Sequence, residues 1–403
     1  MQSDRRTLTL NDLGRIVTGK TPRTHIAEFF GGDIPFITPT DMDGQKTMSS
    51  AARTLTQDGA ESVRGSRIPK GAVMVSCIGS DMGKVAIAGC DAVTNQQINS
   101  IIVQNDVEPE YVYYNLSNRR VELKRLAASG STLPLLNKGN FGKIDIELPS
   151  REEQQAVVTI LGALDDKIEL NRRMNATLET MAQALFKEWF VDGVKEEWEV
   201  TSLCDHIEAV KGLSYKGSGL SDQGRPMHNL NSIYEFGRYK YEGIKWYTGE
   251  YKERHICKAG DVIVANTEQG FDHLLIASAA LIPKRFGEEG IFTHHLYRVR
   301  PLASSYLTNH FIYLLLTHPF VREQMHGYTN GTTVNSLSKE GLERPTFRLP
   351  PVDLIEKFDT IVAPLFERQE VNHEESETLK SLRDTLLPKL MRGEVRVKSI
   401  QNA

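Results

Sequence analysis

The sequence predicts an α+β chain. Two similar globular α/β domains are separated by two long antiparallel helices of coiled-coil type, and the halves are related as an internal, pseudo-twofold repeat. Three observations carry this. Gly130, Thr132, Leu136 and Lys138 recur as Gly331, Thr333, Leu337 and Lys339, and Leu148-Pro149 recurs as Leu349-Pro350. Ile160, Leu164, Asn171, Leu178 and Leu185 recur as Ile361, Leu365, Asn372, Leu379 and Leu386, always 201 residues on. The apolar pattern also switches twice from β-rich to helical. A repeat of this length is one design used twice, which points to a target with two similar parts.

Residues 1–150 form the first globular domain. Val73–Ile78, Val85–Ala88 and Ser100–Val103 are β-rich runs bounded by glycine and polar residues. Pro109-Glu110 opens a helix carrying Tyr111, Tyr114, Leu116 and Val121. Residues 151–195 hold the first long helix. Leu164, Asn171, Leu178 and Leu185 fall seven apart, with Ile168, Met174 and Met181 at neighbouring seam positions. Such spacing implies a helix packed on another long helix, and forty residues would span about 60 Å.

Residues 196–350 return to strands at Val262–Ala265, Leu274–Ala277 and Leu296–Val299, followed by a helical patch at Phe311–Leu316. Residues 351–403 hold the second long helix, with Leu365, Asn372, Leu379 and Leu386 on its seam. Pro364 should kink it or delay its start. Asn171 and Asn372 take the same seam position, where a buried Asn fixes register at some cost in stability; the alternative is that both face solvent.

Composition narrows the class. The chain has 403 residues, 40% hydrophobic and 25% charged, as in ordinary globular proteins. No apolar run is long enough to span a membrane, and no signal-type stretch follows Met1. Cys77, Cys90, Cys204 and Cys257 are scattered, which argues against disulfides and thiolate metal sites and favours a cytoplasmic setting. Net charge is −4, so nucleic-acid binding would depend on a local basic face.

Several motifs suggest chemistry. Gly14-Arg15-Ile16-Val17-Thr18-Gly19-Lys20-Thr21 fits the P-loop pattern GxxxxGK[ST]. Its mixed polar and apolar lead-in and the β-branched Ile16-Val17 favour a strand ending in a turn at Gly19. Lys20 and Thr21 would then suit a DNA phosphate. His273 and His294-His295 lack a carboxylate or cysteine at ligand spacing, so no metal site is expected, and a polar strand end is the simpler reading. No catalytic triad or carboxylate pair stands out. The Asn-Pro-Pro-aromatic and Asp-Pro-Pro-Tyr motifs of base methylation are absent, so no catalytic residue is expected.

The polar turns are more informative. Ser80, Asp81 and Lys84, with Asn95, Gln96 and Gln97, flank strands of the first copy. Asn266, Thr267 and Gln269 hold the Ser80 position in the second, preceded by Asn229, Asn231, Arg238, Tyr239 and Lys240. Asn, Gln and Arg can pair with base edges, while Lys, Ser and Thr reach phosphates. The repeated Ser131, Thr132 and Lys138, and Thr332, Thr333 and Lys339, complete the DNA-binding candidates. Amide-rich loops are also ordinary turn formers. The copies share scaffold positions but differ in these loops, as expected if each reads a different sequence.

These residues resemble the specificity subunits of Type I restriction-modification systems across essentially the whole chain. The resemblance is carried by Leu148–Gln155, Asp165–Asn171, Leu185–Phe190 and Leu386–Glu394. Gly19-Lys20-Thr21-Pro22 is similar to the family's Gly-x-Thr-Pro entry to a target recognition domain. The resemblance implies a non-catalytic subunit whose two target recognition domains each read one half of a split DNA target. The helices would act as ruler and dock. Implied partners are double-stranded DNA, two methyltransferase subunits and two endonuclease/translocase subunits. This chain would bind no cofactor; S-adenosylmethionine, ATP and Mg²⁺ would sit on the partners. Copy two lacks Gly-x-Thr-Pro, and Pro364 suggests unequal docking faces. The alternatives are a methylation-only assembly, a P-loop nucleotide-binding protein, and a repeat-built protein scaffold that never touches DNA.

Overall fold

The computed structural model describes residues 5–42, 44–127, 135–269, 272–331 and 334–395. The chain divides into two compact units, Met1–Leu170 with Ser376–Ala403, and Asn171–Glu375. Each holds one globular domain and a stretch of both long helices.

In the first unit a five-stranded sheet runs Gly14–Thr18, Ile98–Val103, Val73–Ser76, Val85–Ala88, Thr47–Met48. A second sheet runs Thr54–Leu55, Phe30–Ile37, Ala92–Thr94, Arg67–Ile68, and its central pair is parallel, with Phe36 opposite Val93. Arg6–Thr9 pairs with Asp145–Leu148. The second unit repeats the plan. One sheet runs Ile207–Lys211, Leu296–Pro301, Val262–Ala265, Ala279–Leu281. The other contains Lys245–Tyr247, Arg225–His228, Glu289–Phe292 and Ile256–Lys258, again with a parallel central pair, Met227 opposite Ile291. Val200–Ser202 pairs with Thr346–Arg348.

The apolar runs form buried central strands, and Val73, Val75, Val262 and Val264 are all inaccessible. Helices Pro109–Ser117 and Asn309–Thr317 lay Tyr111, Tyr114, Leu116, Phe311, Ile312 and Leu316 into the cores. Val121 departs from expectation. It lies on a separate helix, Arg120–Ala127, and is 84% exposed.

A second departure is Leu274–Ala277, expected as a strand. The strand begins only at Ala279. The buried Glu268 carboxylate accepts the amides of Leu274 and Ile276, both at 3.0 Å. Arg322 donates to the carbonyls of His273 and Leu274, both at 2.8 Å. Two side chains thus take backbone groups that a sheet ladder would have used, and Ala277 adopts a left-handed φ of 61°.

The long helices are Arg151–Lys187 and Val352–Met391. Pro364 does not delay the second, which runs through it. Pro364 and Thr360 are both exposed, so the carbonyl that loses its amide donor can meet water. The pairing is antiparallel within each unit. In the first, Val157 and Leu161 share a core with Leu387, Leu390 and Met391. In the second, Ala182 and Phe186 pack with Phe358, Val362 and Phe366. Phe190 anchors that core edge-on, 4.8 Å from Phe358 and 5.0 Å from Phe311 between ring centres. The heptad leucines Leu164, Leu178, Leu185, Leu365, Leu379 and Leu386 are half-buried, whereas Asn171 and Asn372 are fully buried. Their solvent-facing alternative does not hold.

A tyrosine ties each globular domain to the helices. Tyr114 Oη donates to Asp165 Oδ2 at 2.6 Å, and Arg383 of the second helix donates to Asp165 Oδ1 at 2.8 Å. In the second unit Tyr313 Oη donates to the buried Glu179 at 2.8 Å. Burial, then the neighbouring carboxylate, pushes both phenols well up. They therefore remain donors. Among the described residues no helix is long and apolar enough to cross a membrane.

Candidate nucleic-acid interface

Four strand ends of the first unit meet at one end of its sheet: Thr18, Ser76, Val85 and Ile98. The loops there carry most of the candidate residues of the first copy. Strand Gly14–Thr18 ends at Gly19, whose amide donates to the Ile98 carbonyl at 3.0 Å. The Lys20 amide donates to the Thr94 carbonyl at 2.8 Å. These amides belong to the sheet, and the next helical turn is the three-residue Ala27–Phe29. The strand ending in a turn at Gly19, the reading the sequence favours, therefore holds, and the P-loop alternative does not. A phosphate cradle needs free amides ahead of a helix.

Gly19 has a different purpose. A Cβ there would stand 2.1 Å from the Asn95 carbonyl oxygen. Gly212 meets the same restriction, with the Thr293 oxygen 2.3 Å from its would-be Cβ. The match extends to the main chain. Gly212 donates to Leu296 as Gly19 does to Ile98. Asn266 donates to the His295 carbonyl as Cys77 does to Gln97. Leu337 donates to Asn266 as Leu136 does to Cys77, both at 2.9 Å. Lys211–Leu213, Asn266-Thr267 and His294-His295 therefore form the same loop end in the second unit.

Lys20 is exposed, and Thr21 Oγ1 donates to Gln96 Oε1 at 2.6 Å. Gln96 is exposed and Gln97 half-buried, with Asn95 Nδ2 donating to Gln97 Oε1 at 2.8 Å. Ser80 is exposed at the adjacent hairpin. Asp81 pairs with Lys84 at 3.2 Å, and Lys84 Nζ donates to the Pro39 carbonyl at 3.0 Å, so this lysine pins the hairpin. Lys138 and Lys339 are exposed at the starts of helices Lys138–Gly142 and Lys339–Glu343, capped by Asn137 and Ser338.

Other candidates shape loops instead of presenting donors. Asn95, Asn229, Tyr239 and Asn266 are buried. Asn229 Oδ1 accepts the Asn231 amide at 2.9 Å, and its Nδ2 donates to Gly243 at 2.6 Å. Asn266 Nδ2 donates to the His294 carbonyl at 3.0 Å. Tyr239 Oη lies 2.7 Å from His228 Nδ1, and burial depresses that imidazole to about 3. These side chains are buried and bonded within their loops, where exposed base or phosphate donors were expected. Asn231 and Arg238 are exposed; the Arg238 amide meets the Ala279 carbonyl at 3.0 Å with φ of 75°. Lys240 Nζ stands 5.5 Å from the Tyr234 ring centre. Thr267 Oγ1 lies 2.8 Å from His295 Nδ1. Ser131, Thr132, Thr332, Thr333 and the Gln269 side chain lie outside what is described.

The sequence alone marks His294 and His295 as no more than a polar strand end and gives no sign of Lys211. They do sit at a strand end, but it is the one equivalent to Gln96-Gln97. No constant offset reveals this. Gly19 matches Gly212, while Gln97 matches His295, so loop lengths shift between copies.

Two copies of one loop-bearing sheet end, each tied by a tyrosine to a shared pair of helices, define a protein built to recognise a two-part target. The family model for the Type I restriction modification DNA specificity domain matches residues 2–180 and 195–380. The chain belongs to that family and is a specificity subunit with two target recognition domains. The MjaIX specificity subunit of Methanocaldococcus jannaschii is 30% identical over 420 aligned positions, covering 97% of this chain and 93% of the relative. The HindI specificity subunit of Haemophilus influenzae is 38% identical over 172 positions, 41% of this chain and 37% of its own. The fold is shared with the crystal structure of the M. genitalium S subunit, at a TM-score of 0.58, 15% identity and 96% coverage of each chain.

Proposed function

We propose that this chain selects a bipartite DNA target for adenine methylation, one half-site per domain. Loops enter the major groove, and the paired helices hold the half-sites at a fixed separation. It does so as a non-catalytic subunit in the cytoplasm, docking two methyltransferase subunits and, through them, two endonuclease/translocase subunits. S-adenosylmethionine, ATP and Mg²⁺ belong to those partners. The observation that supports this best is the duplicated loop end. Its main-chain frame is the same in both units, while the side chains on it differ. A shared frame with different side chains is what reading two different half-sites requires.

Replacing residues 200–345 with those of a relative tests the reading. One half-site of the methylated motif should change and the other should persist. An unchanged motif with the complex intact would instead indicate a protein scaffold. With a net charge of −4, the isolated chain should bind DNA weakly at physiological salt, the partners supplying many phosphate contacts. Tight, specific binding by the chain alone in a salt titration would contradict that division of labour.

A further inference from the structure

The two loop ends share a frame but carry different chemistry. In the first unit the residues entering strand Ile98–Val103 are Gln96 and Gln97. In the second, those entering strand Leu296–Pro301 are His294 and His295. The correspondence rests on geometry. The carbonyls of Gln97 and His295 each accept the amide of the residue that follows the neighbouring strand, Cys77 at 2.7 Å and Asn266 at 3.0 Å. The preceding residues match as well: the Asn95 amide meets the Ile37 carbonyl, and the Thr293 amide meets the His228 carbonyl.

We propose that His294 and His295 are the specificity-determining pair of the second domain and read a purine edge in the half-site where Gln96 and Gln97 read the other. This rests on the DNA-specificity reading above. Both imidazoles are half-buried at the loop end, with ring centres 3.9 Å apart. Thr267 Oγ1 fixes the His295 ring at 2.8 Å through Nδ1, leaving Nε2 as its other polar atom. Thr267 follows Asn266 as Ile78 follows Cys77, so the first copy carries an apolar residue where the second holds an imidazole. His294 Nδ1 is buried without a protein partner. Burial, with His294 and Lys211 nearby, lowers the titration of His295, which keeps the ring neutral at pH 7. With Nδ1 held by Thr267, the neutral His295 ring presents Nε2 alone, a single donor or acceptor according to tautomer, suited to a purine N7 or an exocyclic amine. A glutamine amide instead offers both a donor and an acceptor, from a different shape, so the half-sites can differ on one scaffold.

The test uses the assembled methyltransferase complex, mapping methylated adenines for His294→Gln, His295→Gln and the double variant. The original motif should lose about tenfold or more in methylation rate and relax at one or two base pairs of one half-site, the other staying intact. Gln96→His with Gln97→His should relax the opposite half-site. A double histidine variant that methylates the original motif at the original rate would overturn the proposal. So would loss of both half-sites with a lowered melting temperature, shared by His294→Asn, because that assigns the pair to the fold. Failure of the underlying reading looks different: deleting the whole chain would then leave methylation unchanged.

Discussion

Asn171 donates from Nδ2 to the carbonyl of Asn372 at 3.2 Å, and both residues are fully buried. They are the same residue of the repeat, 201 positions apart. Repeated helices packed antiparallel bring equivalent residues face to face at one place, and here that place is polar. Asn372 Nδ2 returns a bond to Asn175 Oδ1 at 2.8 Å, and Asn175 donates to the Gln369 carbonyl at 3.1 Å. An apolar seam could slide by a heptad, but this one would bury unmatched amides if it did. Asn171→Leu should cost about 1–3 kcal/mol, because it strips partners from buried groups. Asn171→Leu with Asn372→Leu should cost less than the sum of the single changes. Denaturant unfolding in a double-mutant cycle measures the difference, and strict additivity would remove the register role.

The tyrosine anchors should matter separately. Tyr114→Phe deletes a donor to a buried carboxylate without changing the ring. The expected loss is about 1.5–3 kcal/mol, seen as a lower urea midpoint for the first unit. Tyr313→Phe should lower the second unit's midpoint instead. Equal effects of either change on both transitions would mean that the anchors do not act locally.

His228 provides a pH signature. Burial holds it neutral in the folded chain down to about 3, whereas the unfolded chain protonates near its ordinary value. The unfolded state therefore binds one more proton across that window. The contribution of His228 to stability is present above pH 6.5 and falls by about 1.4 kcal/mol per pH unit as acid is added toward pH 3. His228→Asn, measured between pH 6.5 and 5, should lose about 2 kcal/mol less than the native chain. Identical slopes would show that His228 takes up its proton while folded.

The Glu268–Arg322 clamp should act on one half of the target. Glu268→Gln weakens two bonds to the amides of Leu274 and Ile276. Hydrogen exchange at those amides should quicken at least tenfold, and recognition should weaken at the second domain's half-site alone. Protection as strong as in the native chain would assign the loop's shape to Arg322.

How much of this was legible in the sequence depended on what each element is made of. Strands such as Val85–Ala88 and Val262–Ala265, and the long helices, were readable because burial stamps a period on the residues. The recurrence of Leu164 to Leu185 as Leu365 to Leu386 marked two helices that pair, and antiparallel was the simplest packing for a domain–helix–domain–helix order. Leu274–Ala277 misled because its apolar run is a clamped turn, held by Glu268 and by Arg322 forty-eight residues beyond Leu274. Pro364 did not set the start of the second helix, which already begins at Val352; the carbonyl of exposed Thr360, left without its amide donor, can meet water. Among site residues, Lys20, Gln96, Ser80 and Lys138 were legible as exposed polar loop ends. Asn229 and Asn266 were not separable from them, since an asparagine that caps its own turn has the same letter as one that faces a base. The equivalence of His294-His295 with Gln96-Gln97 needed strand pairing, which loops of unequal length conceal.

Under the proposed function this chain dictates a split methylation target. Mapping methylated adenines across the genome of a host expressing the neighbouring methyltransferase, with and without this chain, tests it most directly. A two-part motif that exists only when the chain is present, with a constant gap between its halves, is the predicted result. An unchanged methylation pattern, with the complex confirmed to assemble, would contradict the account.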